Sequence, residues 1–266
     1  MNIATGTDRM IGEKEGAIGW ITFNNPARHN AVSMAMWQAL HVIVDDLAND
    51  EAIRVIVVKG AGDKAFVSGA DISEFEEKRS SPETTKAYND TSQRASKALL
   101  HVGKPTIAMI SGYCVGGGVS TALSCDIRLA AEGSTFAVPA AKLGLGYEYE
   151  GVRKLMDVVG PSFAKEIFFT ARQFSGPEAL AMGLINRLVP AAELEAYVRD
   201  YAARIASNAP LTVGSIKAIV AEALKDESKR DRALCDAVVD QCFNSEDYAE
   251  GRKAFMEKRK PLFKGR

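Results

Sequence analysis

The chain has 266 residues, a formal net charge of -1 from Lys+Arg 33 against Asp+Glu 34, an apolar fraction of 47% and a charged fraction of 25%. These are globular values, with length for one large domain or one domain with an appendage, and the near-neutral balance argues against bulk electrostatic attachment to nucleic acid. No apolar run reaches the roughly 18–20 residues of a membrane helix, and residues 1–14 show no basic segment followed by an apolar one, so a cytoplasmic protein without membrane or nucleic-acid partners is expected.

Residues 18–23 and 54–59 read as strands, the second almost all Val and Ile and therefore buried on both faces. Between them Ser33 caps a helix whose Met36, Leu40, Ile43, Val44 and Leu47 recur at helical spacing. Ser81-Pro82 opens a second helix running to about His101. A buried strand follows at 105–111, then a glycine run, a helical stretch at 119–124, and short strands at 126–131 and 135–138. This alternation is that of an α/β chain. From residue 193 onward the strand signal fades, and 194–206, 211–224, 232–242 and 247–259 read as amphipathic helices. Residues 1–192 are thus expected to form the core and 193–266 a helical region. The last fifteen positions, 252–266, hold seven basic residues and one acid, Glu257, which reads as a solvated tail or as a local contact to phosphates.

The four cysteines, Cys114, Cys125, Cys235 and Cys242, form no C-x-x-C pair. The last two, seven apart on one helical face, read as small buried hydrophobes. No two of His29, His41 and His101 stand at i and i+4, so no histidine-built metal site is expected.

The densest glycine cluster is Gly112-Tyr113-Cys114-Val115-Gly116-Gly117-Gly118, between a buried strand and a helix. Glycine admits close approach of a ligand to backbone, and a helix start offers unpaired N–H groups to an anion. Thr121 stands where a G-x-G-x-x-G motif needs its third glycine, and no G-x-x-x-x-G-K-[ST] exists. An oxyanion site or tight packing remains. Gly118-Val119-Ser120-Thr121-Ala122 falls one residue short of a G-x-S-x-G elbow, and every histidine precedes Ser120, against the order of a serine-hydrolase triad. A second cluster of small residues, Lys64-Ala65-Phe66-Val67-Ser68-Gly69-Ala70-Asp71-Ile72, could supply the other half of an oxyanion hole, two N–H groups converging on one oxygen.

Several linked stretches occur in one order: Ile21-Thr22-Phe23-Asn24-Asn25-Pro26 with Asn30-Ala31, the run from Ala65 to Ile72, that from Ile110 to Gly118, Cys125-Asp126, and Ala254-Phe255-Met256-Glu257-Lys258-Arg259-Lys260-Pro261. Over nearly its whole length the chain resembles the crotonase, or enoyl-CoA hydratase/isomerase, superfamily. That resemblance implies a spiral of ββα turns, a C-terminal helical region that builds a homotrimer or a dimer of trimers, an acyl-CoA substrate, and no cofactor beyond its coenzyme A. It implies that the N–H groups of Ala70 and Gly117 polarise the thioester carbonyl, with Ser68, Asp71, Ile72, Ser120 and Ala140 among the substrate-binding residues. It also implies coenzyme A contacts from Arg28, Lys260 and Phe263, the last two usually from a neighbouring subunit.

The departures bear on the chemistry. Where hydratases of the superfamily carry two glutamates, this chain has Ser120 and Ala140. The loop Leu143-Gly144-Leu145-Gly146-Tyr147-Glu148-Tyr149-Glu150-Gly151 offers substitutes. Glu148 matches an acid of dienoyl-CoA isomerases, and Tyr147 a tyrosine of the methylmalonyl-CoA decarboxylase branch, which often has His at the position of Ala70. A carboxylate enclosed by Tyr147, Tyr149 and an acyl chain would suit proton transfer. Three readings follow: an isomerase or atypical hydratase using Glu148, a decarboxylase of a malonyl-type thioester using Tyr147, or an acyl-CoA-binding protein without turnover.

Overall fold

A computed structural model of the chain describes residues 1–71 and 81–266. β1 (Asn2–Ile3), β2 (Met10–Glu15) and β3 (Ile18–Phe23) form an antiparallel meander, and α1 (Met34–Asn49) follows with the Ser33 hydroxyl accepting the Met36 N–H. Three ββα turns come next: β4 (Val55–Gly60), β5 (Ala65–Val67) and α2 (Pro82–His101); β6 (Thr106–Ile110), β7 (Tyr113–Val115) and α3 (Gly117–Ala122); β8 (Ile127–Ala131), β9 (Thr135–Ala137) and α4 (Tyr149–Thr170). In each turn the first strand joins one sheet and the second joins another. The large sheet has the order β1-β2-β3-β4-β6-β8-β11, parallel from β3 onward, with β11 at Arg187–Val189. The small one has the order β10-β9-β7-β5, with β10 at Phe174–Ser175.

The alternation along β4 explains the layers. Ile56 and Val58 face a core shared with α1, α2 and the small sheet, where Phe23, Phe66 and Phe136 are buried. Val55 and Val57 face the other way, against Leu194, Val198 and Ala202 of α6 (Leu194–Ala206). Between β10 and β11 lies α5 (Gly176–Ala181); α7 (Pro210–Ala223), α8 (Arg232–Phe243) and α9 (Glu246–Met256) complete the chain. No helix among the described residues is long and apolar enough to cross a membrane.

The long strands and the capped helices lie close to where their sequence patterns predict. β5 and β7 emerge where the sequence shows only a turn and a glycine run. At three residues each they have no period of their own and take strand geometry from pairing with each other and with β9. The pattern also assigns no element to 152–170, which α4 occupies. Its buried Leu155, Val159, Ala164 and Ile167 change phase at Gly160 (φ 76°, ψ 168°), just before Pro161, so no single 3.6-residue period spans the helix.

The loop after β3 is held by one buried side chain. Asn30, fully buried with φ 56°, accepts the Asn25 N–H at Oδ1 (2.9 Å) and donates from Nδ2 to the carbonyls of Ala61 (3.0 Å) and Ala65 (2.7 Å). Asn tolerates the left-handed conformation that Ala resists. Asn30→Ala leaves three backbone groups short of a partner and is expected to cost about 2–4 kcal/mol. Urea unfolding would show it as a lower midpoint at unchanged slope.

Candidate active site

β5 and β7 are parallel neighbours, so both release their chains at the same edge of the small sheet. Open α/β sheets expose backbone to ligands at such carboxyl ends. From β5 the chain passes through Ser68 and Gly69 (φ 115°) to Ala70, which bridges Val32. The bridge uses the Val32 N–H to the Gly69 carbonyl (2.8 Å) and the Asp71 N–H to the Val32 carbonyl (3.0 Å). The Ala70 N–H is thereby turned away from Val32 and meets no acceptor among the described residues. From β7 the chain passes through Gly116 (φ 54°), whose N–H donates to the Ala137 carbonyl (2.8 Å), into Gly117, the first residue of α3. The Gly117 N–H is one of the four that a helix start leaves unpaired, and it too has no acceptor among the described residues.

The two backbones lie side by side. A Cβ on Gly117 would stand 3.6 Å from Gly69 Cα and 3.7 Å from the Ala70 nitrogen, and one on Gly69 would stand 3.9 Å from the Gly117 nitrogen. Gly118 is needed for a different reason, since its Cβ would fall 2.0 Å from the Val67 carbonyl oxygen. The sequence-expected pair of donors is therefore adjacent.

Around them the expected residues divide. Arg28 Nη1 bonds Asp71 Oδ1 (2.9 Å) and Oδ2 (3.2 Å); the aspartate is buried and the arginine half exposed. The Ser68 hydroxyl donates to the Arg28 carbonyl (3.4 Å). Arg28, Ser68 and Asp71 thus form one rim beside Ala70, and Asp71 anchors the arginine. Ile72 lies outside the described residues. Ser120, half buried on α3, makes no side-chain hydrogen bond among the described residues. Its carbonyl accepts the Ser124 hydroxyl (3.0 Å), to which Lys154 Nζ donates (2.9 Å), and burial lowers the Lys154 ammonium pKa. Cys114 and Cys125 are buried thiols; desolvation raises the second to about 12, and neither is a nucleophile at neutral pH.

Ala140 and Tyr147 line one apolar cleft of about 390 Å3 with Leu145, Met156, Phe168 and others. The Leu145 N–H returns to the Ala140 carbonyl (3.0 Å), which folds the loop over the former. Tyr147 packs edge-on to Phe168 (centroids 4.8 Å apart), and burial pushes its phenol above the ordinary value. Glu148 follows as the N-cap residue of α4, but its carboxylate makes no capping bond. It reaches α2 instead, where Gln93 Nε2 donates to Oε2 (2.5 Å) and Asn89 Nδ2 to Oε1 (3.4 Å).

Three expectations need correction. Tyr147 and Tyr149 do not enclose Glu148: Tyr149 is 69% exposed and accepts from Arg153 (3.1 Å), and Glu148 is itself exposed in this chain. Tyr147 precedes the extended N-cap Glu148 and packs on Phe168, whereas Tyr149 opens α4 and faces solvent. Cys235 and Cys242 are half buried rather than buried, Cys242 lining a groove. The tail is neither free nor simply solvated. The buried Asp247 carboxylate accepts the N–H groups of Lys264 (2.6 Å) and Gly265 (2.8 Å), Glu250 pairs with Arg259 (2.6 Å), and the Phe263 carbonyl accepts from Arg54. Asp247→Ala is expected to release this strap, speeding tryptic cleavage after Lys258 or Arg259 by roughly tenfold, since hydrogen bonds to a charged group are the stronger ones.

Phe263 lines a groove of about 850 Å3 among α7, α8 and α9, and Lys260 is exposed. No hydrogen bond or ion pair among the described residues joins either side chain to Arg28, Ala70 or Gly117. Sequence reasoning did not find Asn89 and Gln93. Their only signal is the i, i+4 spacing that puts two carboxamides on one face of α2.

Residues 13–266 match the family model described as enoyl-CoA hydratase/isomerase. A short-chain-enoyl-CoA hydratase of Clostridium acetobutylicum is 32% identical over 253 residues, 95% of this chain and 96% of that protein. A methylmalonyl-CoA decarboxylase of Escherichia coli K12 is 34% identical, covering 92% of this chain and 94% of its own. The crystal structure of an enoyl-CoA hydratase/carnithine racemase from Magnetospirillum magneticum superposes with a TM-score of 0.91 at 38% identity, over 98% of this chain and 97% of that one.

Proposed function

The chain belongs to the enoyl-CoA hydratase/isomerase family, and on that premise we propose that it moves a proton on an acyl-CoA thioester through an enolate. The observation that carries this is the adjacency of two N–H groups, Ala70 and Gly117, that meet no acceptor among the described residues, at the ends of neighbouring parallel strands. A thioester oxygen placed between them gains charge as a C–H bond breaks, and donors fixed before reaction stabilise it without reorganisation.

Glu148 is the base in this reading. Its carboxylate removes a proton from carbon 2 or carbon 4, the C–H electron pair flows to the carbonyl oxygen, and the new carboxylic acid returns the proton to the other carbon. The double bond shifts and no atom is gained or lost. One carboxylate suffices for that exchange. Addition of water by two carboxylates is not open to a chain with Ser120 and Ala140 at those positions, which favours isomerisation over ordinary hydration. Arg28 on the rim, with Lys260 and Phe263 of a neighbouring copy, would hold the coenzyme A moiety. The exposed Phe255 and Met256 fit burial in a homotrimer or dimer of trimers. No cofactor beyond coenzyme A enters.

A second reading draws on Tyr147. A phenol kept neutral by burial can donate a hydrogen bond but not act as a base, which suits a decarboxylase, where loss of carbon dioxide itself delivers the enolate. A panel of 2-enoyl-, 3-enoyl- and malonyl-type thioesters separates the readings: double-bond migration supports the first and carbon dioxide release the second. Binding without turnover on any of them would mark a protein that only holds acyl-CoA.

A further inference from the structure

The Glu148 carboxylate is diverted from its local role. At the N-caps of α1, α2, α5, α8 and α9 a Ser or Asp side chain accepts from its own first turn. Glu148 holds the corresponding place on α4 and makes no such bond. Both of its oxygens are taken by carboxamides of another helix, Gln93 at 2.5 Å and Asn89 at 3.4 Å. A glutamate has three rotatable bonds, and pinning it from a second element fixes the direction of its reactive oxygens.

The helix that pins it is tied to the oxyanion backbone. Trp37 Nε1 on α1 donates to the Tyr88 hydroxyl on α2 (3.2 Å), and α1 begins two residues after Val32, which bridges Ala70. The links run from Ala70 through Val32, α1 and α2 to Gln93 and Glu148. Donors and base are thus referenced to one another through packed helices rather than through the loop of residues 144–148 alone.

We infer that Gln93, assisted by Asn89, is a positioning residue that aims the Glu148 carboxylate at the acyl carbon before proton abstraction. This rests on the reading of Glu148 as the base. The carboxamide also serves the second half of the cycle. Once Glu148 carries the proton, Gln93 can turn its own carbonyl oxygen to accept the new O–H, so the contact survives both states without another group. A hydrocarbon of equal length can do neither.

The test compares Gln93→Met, which keeps length and helix propensity but has no donor, with Gln93→Arg, which keeps donors, beside Glu148→Gln. The readouts are steady-state kinetics on the enoyl-CoA that the wild type isomerises, and thermal midpoints. The expected result for Gln93→Met is a kcat about tenfold lower with KM within about twofold, and for Gln93→Arg, which donates to the carboxylate but cannot accept the returning O–H, a smaller loss of about threefold. Three results overturn the inference: an unchanged kcat in Gln93→Met, equal losses in Met and Arg, or a change confined to KM. If Glu148→Gln stays active, the reading of Glu148 as the base falls instead. An inactive Glu148→Gln beside an unaffected Gln93→Met rejects the positioning role alone.

Discussion

Glu148→Gln lowers turnover of an enoyl-CoA by about 10²–10⁴-fold, the usual contribution of a positioned acid or base, while acyl-CoA binding changes little. Glutamine preserves size and keeps one oxygen to accept from Gln93 or Asn89, so a collapse of the loop would not be the cause. The variant cannot take a proton from carbon. Exchange of the acyl hydrogens with deuterated water, followed by nuclear magnetic resonance, should therefore fall in parallel with turnover. Calorimetric titration with a saturated acyl-CoA checks that the site still fills. Retained exchange would remove Glu148 from the mechanism and turn attention to Tyr147.

Gly117→Ala gives the second large effect, a loss of about 10²-fold in kcat/KM: the N–H stays, but a methyl beside the Ala70 nitrogen blocks the oxygen's place between the two donors, an effect comparable with losing one of them. Gly117 is the first residue of α3 and has no positive φ, so alanine is acceptable to the backbone. Its methyl would meet only ordinary contacts, 3.6 Å and 3.7 Å from the Gly69–Ala70 backbone. The fold should therefore hold, with an unchanged or slightly raised thermal midpoint. What is lost is the space between the two N–H groups. Gly118→Ala, one residue on, is the contrasting control: a Cβ 2.0 Å from the Val67 oxygen cannot be placed without moving β5, and stability falls with activity. Activity lost without stability at Gly117, and both lost at Gly118, would separate a ligand site from tight packing.

Much of the fold is legible in the sequence, for reasons that also mark where legibility ends. The doubly buried run of β4, the periodic face of α1 and the Ser81-Pro82 start of α2 are local signals, each long enough to carry its own period or cap. β5 and β7 have three residues each and exist because their neighbours do. The site inherits that limit. Ala70 and Gly117 would act through backbone N–H groups, which have no side-chain signature. Glycine spacing alone leaves them a choice between a ligand site and tight packing, and family resemblance points to the first. Ser120 and Ala140, at the positions where the resemblance expects two glutamates, are visible at once. The partners of Glu148 are not, because an i, i+4 carboxamide pair on a polar helix face resembles any solvated surface until a loop 55 to 59 residues away is placed against it.

The near-equal count of 33 basic and 34 acidic residues gains meaning from this placement. A polyanionic thioester would be met by two backbone donors, one anchored arginine and a strapped tail, with a single acid at the reacting carbon.

The most direct test is a crystal structure with a non-reactive acyl-CoA. The thioester oxygen should lie about 2.7–3.1 Å from both the Ala70 and Gly117 nitrogens, with carbon 2 or carbon 4 within roughly 3–3.5 Å of a Glu148 oxygen. A thioester oxygen bound away from these two nitrogens would contradict the account.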